Sequence, residues 1–276
     1  MSFKAIVKGV IQKAAHYKYL RRALTMIYTS NDRHVANLSH PYDLSLGIDA
    51  SGALPAYLLQ SGKEADPNIT AYLGIVPSVL RAALVTIPDP AKRSFIDIGC
   101  GKGRALAVAS EFPFQTIVGI ELNPELCRDA IRNAAILHAR FPERTSIEVK
   151  EGDASAPETP DGPLVVFLYH SFHDAMVRRL ANNLAVAAET REVLFIYINP
   201  VHGTIFDQHK SFSRWYSDQV IVAAAEVAYC QDENEAVVIW RSAPPTCPLI
   251  SPIGTAQSNP NRAIRITKPE WRAELE

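Results

Sequence analysis

The sequence predicts a three-layer α/β fold: a seven-stranded sheet whose last strand runs antiparallel, preceded by a helical N-terminal cap. Three observations carry this. A short apolar strand runs into a glycine loop and then a helix at 95–112, the start of an alternation that continues for a hundred residues. Two later strands, Leu164–Tyr169 and Val193–Ile198, are apolar at every position, as strands covered on both faces are. Past residue 220, two β-rich runs meet at the acidic turn Cys230-Gln-Asp-Glu-Asn-Glu235, so the last strand returns beside its neighbour.

The elements follow in order. Residues 1–30 read as an amphipathic helix, with Ile6, Val10, Ala14 and Tyr17 near the 3.6-residue period. Lys4, Lys8, Lys13, Lys18, Arg21 and Arg22 occupy its other faces, a solvated surface or a weak contact with an anionic membrane. Residues 31–70 carry repeated proline and glycine and read as a loop-rich cap with one short helix over Ala53–Gln60. A helix over Val76–Ile87 begins at Pro77, tolerated in a first turn because its missing N–H has no helical partner there. Strands are expected at Phe95–Ile98, Thr116–Ile120, Ser146–Val149, Leu164–Tyr169, Val193–Ile198, Val220–Val227 and Ala236–Trp240. Helices fall between them at Arg104–Phe112, Asn123–Phe141 and His173–Glu189. The boundaries are 1–75 for the cap, 76–242 for the α/β domain and 243–276 for a Pro- and Ser-rich tail.

Composition narrows the function classes. A formal net charge of -1 gives no global attraction to nucleic acid, and no nucleic-acid partner is expected. The four cysteines, Cys100, Cys127, Cys230 and Cys247, form no CxxC pair, so neither a zinc site nor a disulfide framework is expected, and no metal. No run of 18 apolar residues occurs and the N-terminus is not a secretory signal; the cytoplasm is the expected compartment.

The candidate site lies where strands end. Asp97-Ile-Gly99-Cys-Gly101-Lys-Gly103-Arg104 is a D-x-G-x-G-x-G loop, in which glycines allow a sharp turn and close approach of backbone to a ligand. Dinucleotide enzymes use a similar device with G-x-G-x-x-G spacing; here Arg104 stands where that pattern has its third glycine. Asp97 suits a cation, such as the ammonium of S-adenosylmethionine, and would repel a pyrophosphate. Glu121 ends the second strand, where an acid meets ribose hydroxyls in nucleotide-binding α/β folds. Asp153, in Glu151-Gly-Asp-Ala154, is the candidate acceptor for an adenine amine. At the end of the fourth strand, Tyr169 and Phe172 would line the reacting methyl, and His170, with an ordinary pKa near neutrality, is the candidate general base. Asn199 and His202, after the fifth strand, are further candidates for substrate contact.

The segments FIDIGCGKGRALAVAS, VGIELNPEL, EGDA and VVFLYHSF, in this order, resemble the successive motifs of class I S-adenosylmethionine-dependent methyltransferases, whose sheet is Rossmann-like. D-I-G-C-G-K-G-R with G-I-E-L-N-P resembles the branch holding Dot1-type protein-lysine methyltransferases and bacterial relatives of unassigned substrate. Tyr42–Gly52 and Val76-Pro-Ser78 resemble those bacterial relatives too. The resemblance, over residues 42–242, implies that Asp97, Gly99 and Gly101, with Gly103 beside them, hold the methionine part, Glu121 the ribose and Asp153 the adenine. Members acting on amides and amines often carry an Asn/Asp-Pro-Pro-Tyr/Phe turn after the fourth strand; this chain has Tyr169-His-Ser-Phe172. The acceptor, small molecule or protein, is thus left open between oxygen and nitrogen. The rival readings are a protein-lysine methyltransferase specifically, a nicotinamide-dependent oxidoreductase and a non-catalytic cofactor-binding protein.

Overall fold

The structure, a computed structural model, describes residues 39–59, 71–169, 172–230, 232–253, 260 and 262–266. The expected N-terminal basic helix therefore lies outside the described residues, as does much of the tail. Seven strands form the main sheet: β3 (Ser94–Ile98), β4 (Thr116–Glu121), β5 (Ile147–Glu151), β6 (Leu164–Tyr169), β7 (Val193–Ile198), β8 (Ser213–Ile221) and β9 (Asn234–Ser242). Their order is β5-β4-β3-β6-β7-β9-β8. The first five are parallel, and β9 lies antiparallel between β7 and β8, the reversed last strand that the sequence predicts.

Helices cover both faces. On one, α3 (Pro77–Leu84) and α4 (Arg104–Ala109) pack Val79, Leu80 and Leu106 against Phe95, Phe167 and Ile196. On the other, α6 (Asp174–Ala187) packs Val177, Leu180 and Leu184 against Ile96, Val166 and Phe195. Every residue of β7 and all but the last of β6 are buried, which is why those strands read as unbroken apolar runs. The long helix α5 (Pro124–Arg140) starts as expected: the Asn123 side chain accepts the Glu125 and Leu126 N–H groups, with proline next in line.

The sixth strand is displaced from its expected place. Val220–Val227 was expected; the strand is Ser213–Ile221, and 227–229 form a 3-10 turn. An irregularity in pairing between Arg214 and Tyr216 breaks the two-residue period that would mark its start. The cap also differs from a single helix over Ala53–Gln60. It holds α1 (Pro41–Leu46), a two-residue strand β1 (Ala53–Leu54) and α2 (Ala56–Leu59). β1 pairs with β2 (Tyr72–Leu73) and so draws residues 71–75 alongside the cap. A further short helix, α7 (Thr204–Asp207), follows β7.

The edge of the sheet away from the strands' carboxyl ends is tied by charge. Glu192, just before β7, accepts from Arg93, just before β3, at 2.7 Å and from Arg241, near the end of β9, at 2.5 Å. All three side chains are largely buried. Glu192→Ala strands two buried guanidinium groups and is expected to cost about 3–5 kcal/mol by denaturant titration; a loss under about 1 kcal/mol would show the triad to be solvated.

Candidate functional site

The chain leaves β3 toward β4 and β5 on one side, and leaves β6 toward β7 on the other. Where two neighbouring strands send their connections in opposite directions a crevice opens at their carboxyl ends. Here it is a cleft partly open to solvent, its empty volume about 850 Å³ with the open solvent at its mouth included. Its lining includes Asp97, Gly99 and Gly101 from the end of β3, Glu121 from β4, Asp153 after β5, and Phe167, Tyr169 and Phe172 around the end of β6. Tyr72, Gly74 and Ile75 roof it. The structure thus gathers Asp97, Gly99, Gly101, Glu121, Asp153 and Tyr169 in one cavity; Gly103 sits one turn on, as the N-cap of α4.

The two central carboxylates differ. Asp97 is 3% exposed, and no arginine, lysine or hydrogen-bond donor among the described residues reaches it. Burial, and then the neighbouring Glu121, push its pKa well above the ordinary carboxylate range. Glu121 is also raised by burial, but its oxygens are engaged: Oε2 accepts the Gly101 N–H and Oε1 the Asn123 N–H, both at 2.8 Å. Each carboxylate oxygen keeps a lone pair for a further donor. Glu121 therefore holds the glycine loop as well as facing the cleft.

Gly99, Gly101 and Gly103 all have positive φ, at 75°, 54° and 85°. At Gly101 the reason for glycine is not the ligand alone. A Cβ there would lie 2.3 Å from the Tyr72 ring, which covers the loop while its hydroxyl donates to the Ala50 carbonyl at 2.6 Å. Arg104 does not crowd the helix–strand contact as the dinucleotide comparison suggests. Its side chain turns to the cap, where it makes a two-pronged pair with Asp43 at 3.0 and 2.6 Å. Both side chains are buried, and Ser51 Oγ also donates to Asp43. The close approach of helix to strand is met instead by Gly119, where a Cβ would sit 2.5 Å from Leu106. A second tie, from Asn133 on α5, exchanges hydrogen bonds with the Asp49 backbone and donates to the Lys102 carbonyl.

Asp153 is exposed at the rim, with Oδ1 accepting the Ser155 N–H and hydroxyl and Oδ2 paired to Arg179 at 3.0 Å. Its carboxylate is oriented but already shared. His170 and Ser171 lie outside the described residues. Asn199 and His202 are absent from the cleft lining; Asn199 is buried against Glu235. The sequence reading missed Asp43, Tyr72 and Glu235. Asp43 and Arg104 are 61 residues apart and Tyr72 meets Gly101 only in space, so no local pattern could have linked them.

No family model matches the chain, and no curated protein matches it. Among solved structures, the chain is similar to magnesium protoporphyrin IX methyltransferase from Synechocystis PCC 6803, solved with bound SAM, at 12% identity and TM-score 0.43, covering 61% of this chain and 78% of that one. It is similar to yhhF of Escherichia coli, a provisionally assigned methyltransferase, at 17% identity and TM-score 0.45, over 61% and 85%. It is similar to the YcgJ protein of Bacillus subtilis at 14% identity and TM-score 0.42, over 60% and 98%. At these identities and scores the functional reading rests on the residues of the cleft.

Two outcomes follow from the geometry. Gly101→Val should abolish occupancy of the cleft by displacing the Tyr72 ring and straining φ, while far-ultraviolet circular dichroism stays near wild type; a variant that binds as wild type does would put the loop away from the ligand. Asp97→Asn should have opposite effects on stability and binding. A carboxyl whose folded pKa is raised stabilises below its unfolded pKa and loses that contribution as pH rises through the folded value. The amide cannot ionise, so the empty variant should melt higher than wild type near neutral pH and lose melting temperature less steeply from about pH 4 upward. An unchanged or lower melting temperature near neutrality would mean the carboxylate is already compensated.

Proposed function

We propose that the chain is an S-adenosylmethionine-dependent methyltransferase acting on an oxygen or nitrogen of an acceptor, small molecule or protein. The observation that carries this is Asp97, a buried carboxylate with no cation or donor beside it among the described residues, facing a cleft behind a glycine loop. Such a group favours a ligand that brings its own positive charge. In this reading Asp97 takes the ammonium of the methionine part, Glu121 the ribose hydroxyls with its remaining lone pairs, and Asp153 the adenine amine at the rim. The cofactor when bound supplies a methyl on a sulfonium, which is electrophilic without further activation. What the protein contributes is alignment and exclusion of water, by the Tyr72–Ile75 roof on one side and Phe167, Tyr169 and Phe172 on the other.

A nicotinamide-dependent reading fits less well. A dinucleotide loop offers its N–H groups to a pyrophosphate, but here the Gly101 N–H is already given to Glu121 and is not free for a phosphate oxygen. Calorimetric titration with S-adenosylmethionine and with NAD separates the two. Production of S-adenosylhomocysteine separates an enzyme from a binding protein. Labelled donor incubated with fractionated lysate then tells whether label enters protein, as a protein-lysine methyltransferase would require, or small molecules.

Glu121→Ala is expected to weaken S-adenosylmethionine binding by about 1–3 kcal/mol, the cost of leaving polar partners unpaired. It should also lower the melting temperature of the empty protein, because the Gly101 and Asn123 N–H groups lose their acceptor. Equal affinity in variant and wild type would remove Glu121 from the site.

A further inference from the structure

The side chains that line the cleft include three acids, Asp97, Glu121 and Asp153, and among the described residues a single cation, Arg104. Arg104 is 6% exposed. Its guanidinium has five N–H donors to place. Nε and Nη2 each give one to the Asp43 carboxylate, and Nη2 gives its second to Ser51 Oγ at 3.2 Å. Nη1 gives one to the Ile75 carbonyl at 3.3 Å. The remaining donor of Nη1 has no acceptor among the described residues. The roof makes room for this end of the side chain. A Cβ on Gly74 would lie 2.4 Å from Nη1 and 2.6 Å from the guanidinium carbon, so only glycine fits there. Gly74 itself lines the cleft, and Nη1 therefore stands against bare backbone at the cleft wall.

We propose that this Nη1 donor of Arg104 receives the carboxylate of the ligand's amino-acid end, and that filling it fastens the roof over the ligand. The inference rests on the methyl-transfer reading above, in which Asp97 takes the ammonium of the methionine part. That ammonium shares a carbon with a carboxylate, which needs a donor of its own. The glycine loop does not offer one. The Gly99 and Cys100 N–H groups go to the Ile120 carbonyl, that of Gly103 to the Cys100 carbonyl and that of Gly101 to Glu121. Arg104 is the group of the lining that suits an anion. The same planar guanidinium is held by Asp43 in α1 and by Ile75 in the roof, so a carboxylate on its last donor joins ligand, cap and roof. Charge alone argues the opposite preference. A ligand stripped of its carboxylate brings more positive charge to a cleft lined by three acids and one cation. A preference for the carboxylate therefore requires a specific partner.

The test titrates the full chain by calorimetry with S-adenosylmethionine and with its decarboxylated form, in which hydrogen replaces the carboxylate. Wild type should bind the first about 10- to 100-fold more tightly, the range of a charge-assisted hydrogen bond. The double variant Asp43→Asn with Arg104→Gln replaces the buried ion pair by two amides, and in it the preference should fall below about threefold or reverse. A preference that survives in the double variant overturns the assignment. Asp43→Asn alone keeps the guanidinium and should keep the preference; its loss there would show that the order of the cap discriminates, and overturns the assignment too. Should either variant not fold, hydrogen exchange on wild type reads the same coupling. With each ligand at saturation, the amides of residues 71–75 should be protected more by S-adenosylmethionine than by the decarboxylated form, and equal protection overturns the proposal. A wild-type protein that binds both ligands alike overturns the role of Arg104 and leaves the methyl-transfer reading standing. One that binds neither overturns that reading and the role with it.

Discussion

Two carboxylates buried side by side at the carboxyl ends of β3 and β4 set the terms for the rest of the molecule. A buried negative charge is costly unless something compensates it. Glu121 is compensated from within, by the N–H groups of Gly101 and Asn123, and this compensation shapes the glycine loop and the start of α5. Asp97 is compensated by nothing among the described residues. The sheet holds it in place because both neighbouring strands are in register with it, opposite Gly119 on β4 and Phe167 on β6. The fold supports an unfavourable group at the position where the cleft opens, and such a stored imbalance is a common mark of a binding site.

The cap answers the same geometry from the other side. Arg104 leaves the loop and reaches Asp43, Ser51 and the Ile75 carbonyl, so a single guanidinium joins the first helix, the turn after it and the roof strand. Tyr72 then lies on Gly101 and takes its own anchor from Ala50. These contacts make the roof of the cleft an extension of the loop.

How much of this the sequence conveyed depends on the range of the forces involved. β6 and β7 were legible because burial on both faces makes them apolar at every position, and α5 because its cap and proline are adjacent in sequence. Asp97, Glu121 and Tyr169 were legible because strand ends can be counted from those runs. The sixth strand was misplaced because a pairing irregularity hides its start, while the alanine-rich stretch beyond it looks more strand-like than it is. α1 went unread because its cap is His40, an uncommon residue there, and it is only six residues long. Asp43, Tyr72 and Glu235 were invisible for a different reason: each acts on a partner that the chain reaches only after folding.

That long reach has a consequence for the order of assembly. The sheet is closed by whole ladders, such as the five-residue β3–β6 pairing, whereas the roof depends on single pairs such as Asp43 with Arg104, 61 residues apart, and Asp49 with Asn133, 84 apart. Contacts that enclose long loops carry an entropic penalty that a single pair offsets less than a ladder does. The roof is therefore expected to exchange its amide hydrogens faster than the strands beneath it, opening and reclosing as a unit while the core stays intact. A cleft built this way admits and releases what it holds by local unfolding of its cover, with no hinge between domains required.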